Sequence, residues 1–110
     1  MNKIKKLSPL TETTFYILIS LLEPLHGYGI MQKVVKLSRG RINLGAGTLY
    51  GALSNLVNAG LIIPEDSQKS NPRRKIYIIT EMGKKLVEYE VDRLEEMVKS
   101  SRSLLEKKGI

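Results

Sequence analysis

The chain has 110 residues, no cysteine, one histidine and a formal net charge of +7. This length suits one small domain, and the lack of cysteine excludes disulfides and thiolate metal sites. A single histidine cannot form a multidentate metal site, and the longest apolar-rich stretch, 15–22, is too short to span a bilayer. We therefore expect a cytoplasmic protein with no metal, no cofactor and no membrane partner.

The positive charge is unevenly distributed along the chain. Residues 1–79 contain eleven Lys or Arg against four Asp or Glu, whereas residues 80–110 contain seven of each. A basic body suits a polyanionic partner, and a neutral mixed segment suits contacts with solvent and protein. Charge alone leaves a nucleic-acid partner and a simple solubility role equally open.

The N-terminal quarter predicts one buried helix. Residues 1–7 are basic and form either a loose arm or a short helical lead-in. The Ser8-Pro9 dipeptide and Thr11 are both candidate starts for the first long helix. That helix is apolar at almost every position over 15–22, which is typical of a helix buried on most sides. It should end near Pro24.

A turn at 26–29, which contains two glycines, precedes a second helix that continues to about Leu37. His26 fits a turn or cap role. Tyr28 is expected to pack against the third helix rather than to bind a ligand. Residues 38–46 have no helical pattern and predict a connection.

The third helix has the clearest pattern in the sequence. Apolar residues recur at i, i+3, i+4, i+7 and i+8 from Leu49, and Gly60 is expected to end the helix. The opposite face is small and polar and carries no charge. That face consists of Gly47, Thr48, Gly51, Ser54, Asn55 and Asn58.

A hairpin follows the third helix. Residues 61–63 predict a short strand that stops at Pro64. Residues 65–72 form a polar tip, and residues 73–79 form the second strand, in which apolar and polar side chains alternate.

Thr80 is the predicted N-cap of a last helix that ends near Lys107. Its apolar positions repeat with spacings of four and three, as in a heptad seam. The seam consists of Val87, Val91, Leu94, Val98, Ser101 and Leu105. A helix of this length measures about 40 Å, which is longer than one small domain needs. We therefore expect it to pair with a second copy rather than to fold back over its own core.

This order of elements predicts a mainly α protein with a small β-hairpin wing. A winged helix-turn-helix domain would occupy residues 1–80, and a dimerisation helix would occupy residues 81–110. In helix-turn-helix proteins the second helix of the pair enters the major groove with its N-terminal end foremost. Here that recognition helix is the third helix.

The recognition helix, the wing and the preceding loop supply candidate DNA contacts. Gly45 and Gly47 in the first turn of the helix let backbone N–H groups approach a phosphate, and Gly51 is a further candidate on the small polar face. Thr48, Ser54 and Asn55 can hydrogen-bond base edges, and Tyr50 can reach a phosphate or stack. Basic residues of the wing and of the preceding loop can contact the DNA backbone. These are Lys69, Arg73, Arg74, Lys75 and Arg41.

Several runs of sequence resemble the PadR-like transcriptional regulators, in the same order over about residues 8–110. They are His26-Gly27-Tyr28-Gly29-Ile30, Gly47-Thr48-Leu49-Tyr50-Gly51-Ala52-Leu53, Ala59-Gly60-Leu61-Ile62, Arg73-Arg74-Lys75-Ile76-Tyr77 and Thr80-Glu81-Met82-Gly83. The resemblance implies a winged-helix homodimer paired through the C-terminal helix, usually a repressor, on an operator with two half-sites. Gly51 stands where the family usually has proline. The chain also lacks the tryptophan with which some relatives bind flat aromatic compounds.

Two other functions are alternatives to DNA binding. A winged helix can serve as a protein-interaction module, and the uncharged face of the third helix would also suit a protein partner. An enzyme is disfavoured because the sequence has no cysteine, one histidine and no paired carboxylates placed by a pocket signal. A small-molecule effector would bind at the dimer interface, lined by the first and the C-terminal helices. Control by protein concentration alone is the alternative.

Overall fold

The computed structural model describes residues 2–66 and 75–109. Within these ranges the chain forms five helices and three strands. In chain order they are α1 Asn2–Leu7, α2 Glu12–Ser20, β1 Leu25–His26, α3 Gly27–Leu37, α4 Ala46–Asn58, β2 Ile62–Asp66, β3 Lys75–Ile79 and α5 Glu81–Lys107.

One apolar core joins the helices to the sheet. Ile17 and Leu18 of α2, Ile30 of α3, Leu53 of α4 and Leu86 of α5 are all almost completely buried in it. Full burial of a side chain of this size contributes about 1.5–3 kcal/mol. The core therefore holds α2, α3 and α4 in fixed positions against the start of α5.

The start and end of α2 follow from its capping residues. The Thr11 hydroxyl accepts a hydrogen bond from the Thr14 N–H at 3.1 Å, so Thr11 is the N-cap and Ser8-Pro9 lies in the joint between α1 and α2. The helix ends at Ser20, earlier than the apolar run predicts, because Leu21 and Leu22 continue as a turn. The sequence of residues 1–7 fits either a loose arm or a short helix, and in the structure these residues include α1.

The helix predicted to recognise DNA is α4, and its predicted apolar pattern is confirmed. Leu49, Leu53 and Leu56 are buried on one side. Gly60 follows the helix with φ of +78°, a conformation that glycine adopts without steric cost. The Leu61 N–H then donates to the Leu56 carbonyl at 3.0 Å, which closes the C-terminal turn.

The sheet has three strands in the order β1-β3-β2, all antiparallel. The sequence predicted only the two wing strands and missed β1. This strand has two residues, Leu25 and His26, which pair with Tyr77 and Ile76 of β3. Two residues are too few to produce an alternating pattern.

Strand β2 continues through Pro64 to Asp66, so the prediction that it stops at Pro64 was wrong. The Thr80 N–H donates to the Leu61 carbonyl at 3.0 Å, and hydrogen-bonded pairs alternate with non-bonded pairs along an antiparallel ladder. Pro64 and Tyr77 therefore form a non-bonded pair, in which the backbone nitrogen of residue 64 faces away from β3. Since β2 is an edge strand, proline removes no ladder hydrogen bond there.

Helix α5 begins and ends as predicted. The Thr80 hydroxyl accepts from the Gly83 N–H at 3.1 Å and donates to the Gly60 carbonyl at 2.7 Å, so the cap also ties α5 to the end of α4. Side chains of α5 are buried only as far as Glu90. The rest of the helix extends beyond the body of the protein.

Candidate nucleic-acid interface

The exposed face of α4 is the small polar face that the sequence predicts. Its side chains are short and polar or absent, apart from one tyrosine, and all are exposed to solvent. They are Gly47, Thr48, Tyr50, Gly51, Ser54, Asn55 and Asn58. The three buried leucines on the other side fix this orientation. The face can therefore approach another surface closely and offer hydroxyl and amide groups to it.

The N-terminal turn of α4 is equally open. Gly45 is the N-cap, and within the described residues no side chain caps the turn and no acidic residue lies in it. A Cβ atom added to Gly47 would meet nothing within 4 Å. The first N–H groups of a helix lack partners within the helix and carry partial positive charge. This end of α4 can therefore accept an anionic oxygen from outside.

Tyr50 connects α4 to the start of α3. Its ring lies against the backbone of Gly27, so closely that a Cβ atom at residue 27 would fall 2.9 Å from the Tyr50 Cζ. The Tyr50 side chain is nevertheless 44% exposed. Burial raises the pKa of the Tyr77 hydroxyl on β3, and the nearby Tyr50 raises it further. Tyr50 thus lies where α3, α4 and the sheet meet.

Tyr28 lies outside the contact that the sequence predicted for it. Its side chain is 67% exposed at the start of α3, so the expectation that it packs against the recognition helix was wrong. The neighbouring Gly27 occupies that position instead, because only a residue without a side chain fits beneath Tyr50.

The wing meets the C-terminal half of α4 in a shallow groove. Ser54 and Asn58 of α4 line one side, and Pro64, Lys75 and Tyr77 of the wing line the other. The structure therefore brings together two predicted site residues, Ser54 and Lys75. The sequence predicts that Asn58 lies on the polar face of α4, but Asn58 is not among the predicted DNA-binding residues. Its spacing of four from Ser54 is the signal that would have included it.

The other basic candidates divide into two groups. Arg41 is exposed in the loop before α4, where its Nη2 lies 3.0 Å from the Glu12 Oε1 and donates to the Tyr16 hydroxyl at 3.3 Å. Its positive charge is thus partly neutralised by Glu12 of α2. Lys69, Arg73 and Arg74 lie outside the described residues.

The predicted seam of α5 divides at Glu90. Val87 is 9% exposed and belongs to the protein's own core. The remaining apolar seam residues, Val91, Leu94, Val98 and Leu105, are exposed. Ser101 is exposed too, and its hydroxyl donates to the Met97 carbonyl at 2.7 Å. The unpartnered part of the seam therefore begins at Val91.

Two features are absent from the described residues. No three His, Asp or Glu side chains there lie close enough together to hold a metal ion. No helix among them is sufficiently long and apolar to cross a membrane.

Helices α2, α3 and α4, a two-stranded wing after α4 and an open polar face on α4 define a winged helix-turn-helix protein. The chain belongs to the PadR-like family of transcriptional regulators, whose family model matches residues 16–89. This is a family of regulators rather than of enzymes, and its members bind DNA.

Solved structures of similar fold support the assignment. A PadR family transcriptional regulator from Eggerthella lenta is 29% identical, with a TM-score of 0.68 over 84% of this chain and 80% of that chain. A PadR family regulator from Clostridium difficile is 26% identical, with a TM-score of 0.69 over 86% and 99%. A transcriptional regulator from Clostridium thermocellum, 24% identical, shares the fold with a TM-score of 0.70 over 83% and 87%. No curated protein is significantly similar in sequence.

Proposed function

We propose that this protein is a repressor that binds, as a homodimer, an operator with two half-sites. The observation that carries the proposal is the exposed, uncharged face of α4 beside the basic wing residue Lys75. Residues 1–80 would form the DNA-binding domain, and residues 81–110 would form the dimerisation helix. Two copies of α4 would then lie in successive major grooves about 34 Å apart.

The α4 face would read the bases. Thr48, Ser54 and Asn55 carry hydroxyl and amide groups that can pair with base edges in the major groove. Gly47 and Gly51 keep the helix surface low, because at either residue a Cβ atom would point into open space. Tyr50 would contact a phosphate from its position between α3 and α4.

The wing would supply sequence-independent affinity. Lys75 is exposed beside α4, and the adjacent sequence contains Lys69, Arg73 and Arg74. Cations that neutralise phosphates release counterions, which makes binding weaker as salt rises. Arg41 would contribute less than the wing residues, since Glu12 already neutralises part of its charge.

The dimer would form through α5. Beyond Glu90 the helix exposes Val91, Leu94, Val98 and Leu105 along one side, and the described part of the chain buries none of them. Apolar side chains repeated at this spacing pair helices by interdigitation. A second copy of the chain would cover them and hold the two α4 helices at a fixed separation.

A cavity between α2 and α5 suits the expected effector. It measures about 260 Å³. Its walls combine four apolar or aromatic side chains with four charged ones, which are Leu10, Phe15, Tyr16 and Leu94, and Glu12, Arg41, Glu90 and Arg93. Small-molecule sites usually measure roughly 300–1,000 Å³, so this cavity would suit only a small effector. A ligand bound there would contact both the DNA-binding domain and the dimerisation helix.

The proposal is tested by titrating the protein into a labelled duplex from upstream of its own gene and into a scrambled duplex, at several salt concentrations. Fluorescence anisotropy should show specific binding at least ~10³-fold tighter than non-specific binding. Ser54→Ala should weaken binding to the operator only, whereas Ser103→Ala, on the exposed surface of α5, should bind like the parent.

Two other outcomes of this titration would contradict the proposal. Equal binding to both duplexes would contradict sequence-specific recognition. A folded dimer that binds neither duplex would favour a protein-interaction module, for which the uncharged α4 face would be the contact surface.

A further inference from the structure

Glu90 is the last buried residue of α5. The helix buries Gly83, Leu86, Val87 and Glu90 against the body of the protein, and from residue 91 onward its side chains are exposed, except for the partly buried Arg93. Glu90 therefore marks the point at which the helix leaves the body. It is also the one charged residue among the four buried residues of α5.

The Glu90 carboxylate is held from two directions. One oxygen, Oε2, accepts from the Ser8 hydroxyl at 2.6 Å, and Oε1 accepts from the Leu10 N–H at 2.6 Å. From its own helix, Arg93 donates through Nε to Oε2 at 2.7 Å and through Nη2 to Oε1 at 3.1 Å. Ser8 and Leu10 lie in the joint between α1 and α2, so this cluster fastens α5 to the opposite end of the chain.

A buried carboxylate is an expensive way to fill this position. Its side chain is completely inaccessible to solvent, and removing a charge from water costs several kcal/mol before the hydrogen bonds offset it. A leucine would fill similar space without that cost. Charge-assisted hydrogen bonds differ from apolar contacts because they are directional, so they fix an orientation rather than only a separation.

We propose that Glu90 is the positioning residue that fixes the direction of α5 relative to the winged-helix body. Given the homodimer proposed above, on which this step rests, Glu90 thereby sets the half-site spacing that the dimer accepts. Residues 91–107 extend about 25 Å beyond it, so a tilt of about 10° moves their far end by about 4 Å. That exceeds the roughly 3.4 Å rise of one base pair.

The first test measures the direction of α5 in the protein alone. Because the chain contains no cysteine, Gln32→Cys on α3 and Glu106→Cys on α5 give two unique spin-labelling sites, both exposed. Labelled chain is diluted with excess unlabelled chain, so that only the distance within one chain is measured. On this background, Glu90→Gln should shift or broaden the distance distribution by several ångströms, because the glutamine amide has one acceptor oxygen in place of the two that receive the Ser8 and Leu10 hydrogen bonds.

Two controls separate positioning from stability. Glu88→Gln makes the same change in charge at an exposed position of the same helix and should leave the distribution unchanged. Ile30→Val lowers stability from within the core and should also leave it unchanged. If Glu90→Gln gives the parent's distribution, or if Ile30→Val broadens it equally, the proposal is wrong.

The second test uses operators whose half-sites are separated in steps of one base pair. The parent should prefer one spacing, and Glu90→Gln should reduce that preference severalfold while keeping the affinity for a single half-site. A parent that binds no DNA specifically would overturn the repressor proposal, and the distance measurement would still decide the role of Glu90. An unchanged spacing preference in Glu90→Gln would overturn the role of Glu90 alone.

Discussion

The ring of Tyr50 in α4 lies directly on the backbone of Gly27, the first residue of α3. This contact joins the two helices of the helix-turn-helix at the end where α3 begins. It depends on the absence of a side chain at residue 27, since a Cβ atom there would fall 3.3 Å from the Tyr50 Cε1 and closer still to the outer ring atoms.

Gly27→Ala should therefore be unfavourable only while Tyr50 is present. In the parent, alanine displaces the ring. In a Tyr50→Ala background the same substitution should be neutral or stabilising, because alanine is favoured over glycine in helices by up to ~1 kcal/mol. Urea unfolding of the four variants gives the coupling free energy, which should be about 0.5–3 kcal/mol for residues in contact. Additive effects would show that the two residues do not touch.

Two further glycines should respond in opposite ways to the same substitution. A Cβ atom at Gly83 would lie 2.6 Å from the Ile79 Cγ1 and would also strike the Leu61 carbonyl, whereas one at Gly51 would meet nothing within 4 Å. Gly83→Ala should cost about 1–3 kcal/mol or more, since the obstacle includes backbone. Gly51→Ala should raise the free energy of unfolding by up to ~1 kcal/mol. Thermal or urea unfolding distinguishes these outcomes, and equal effects would contradict the packing of α5 on β3.

Glu90 should make stability depend on pH in the acid range. Hydrogen bonds from Arg93, Leu10 and Ser8 outweigh desolvation and lower its pKa from 4.5 to about 2. A lowered pKa means that the ionised form stabilises the fold above about pH 4.5, and that this contribution disappears as pH falls toward 2. At ~1.4 kcal/mol per pKa unit, the contribution is roughly 3 kcal/mol.

Glu90→Gln should accordingly lower the free energy of unfolding at pH 7 by roughly this amount, with a difference that narrows below about pH 4.5. Urea unfolding across this range measures it, and Glu88→Gln serves as the exposed control. A difference that stayed constant with pH would show that the charge of Glu90 contributes nothing.

Dimerisation should fail when the exposed seam of α5 receives a charge. Val98 is 51% exposed at the centre of the seam. Val98→Glu should yield a folded monomer, because an ionised carboxylate cannot be buried there without a partner. Ser103→Glu adds the same charge on the opposite side of the helix and should remain a dimer. Sedimentation velocity measures both, and a dimeric Val98→Glu would refute pairing through this face.

Lys75 should contribute to affinity without contributing to specificity. Lys75→Gln should weaken binding to operator and scrambled duplexes alike and reduce the salt slope by about one. Lys85→Gln removes a charge from α5 that is also exposed and should change neither quantity. A loss of specificity with an unchanged salt slope would mean that Lys75 reads a base rather than a phosphate.

Periodicity was sufficient to predict the elements that dominate the fold. Leucines at helical spacing located α4 and its exposed face, and Thr80 located the start of α5. Strand β1 could not be predicted in this way, because its two residues become a strand only by pairing with β3. The sequence predicted that strand β2 ends at Pro64, because proline cannot donate a ladder hydrogen bond. Proline is tolerated there because β2 is at the edge of the sheet, and that position is known only from the assembled fold.

Individual site residues were less predictable than elements. The chain separates Arg41 from Glu12 and Tyr16 by more than twenty residues, so their contact follows from the packing of α2 and not from any local pattern. Val87 fits the heptad spacing but is buried in the protein's own core, because α5 lies against the body as far as Glu90. The spacing of apolar residues identified the apolar side of α5. It could not show at which residue the body of the same chain ceases to bury that side.

Pro64 has a consequence for the protein's behaviour at high concentration. An open strand edge offers unpaired N–H groups to which a strand of another molecule can add, which is a common route to aggregation. At residue 64 the outward-facing nitrogen carries no hydrogen, so the exposed side of the wing lacks a donor in the middle of β2. The wing can therefore present its side chains to a partner while resisting the growth of its sheet into a fibre.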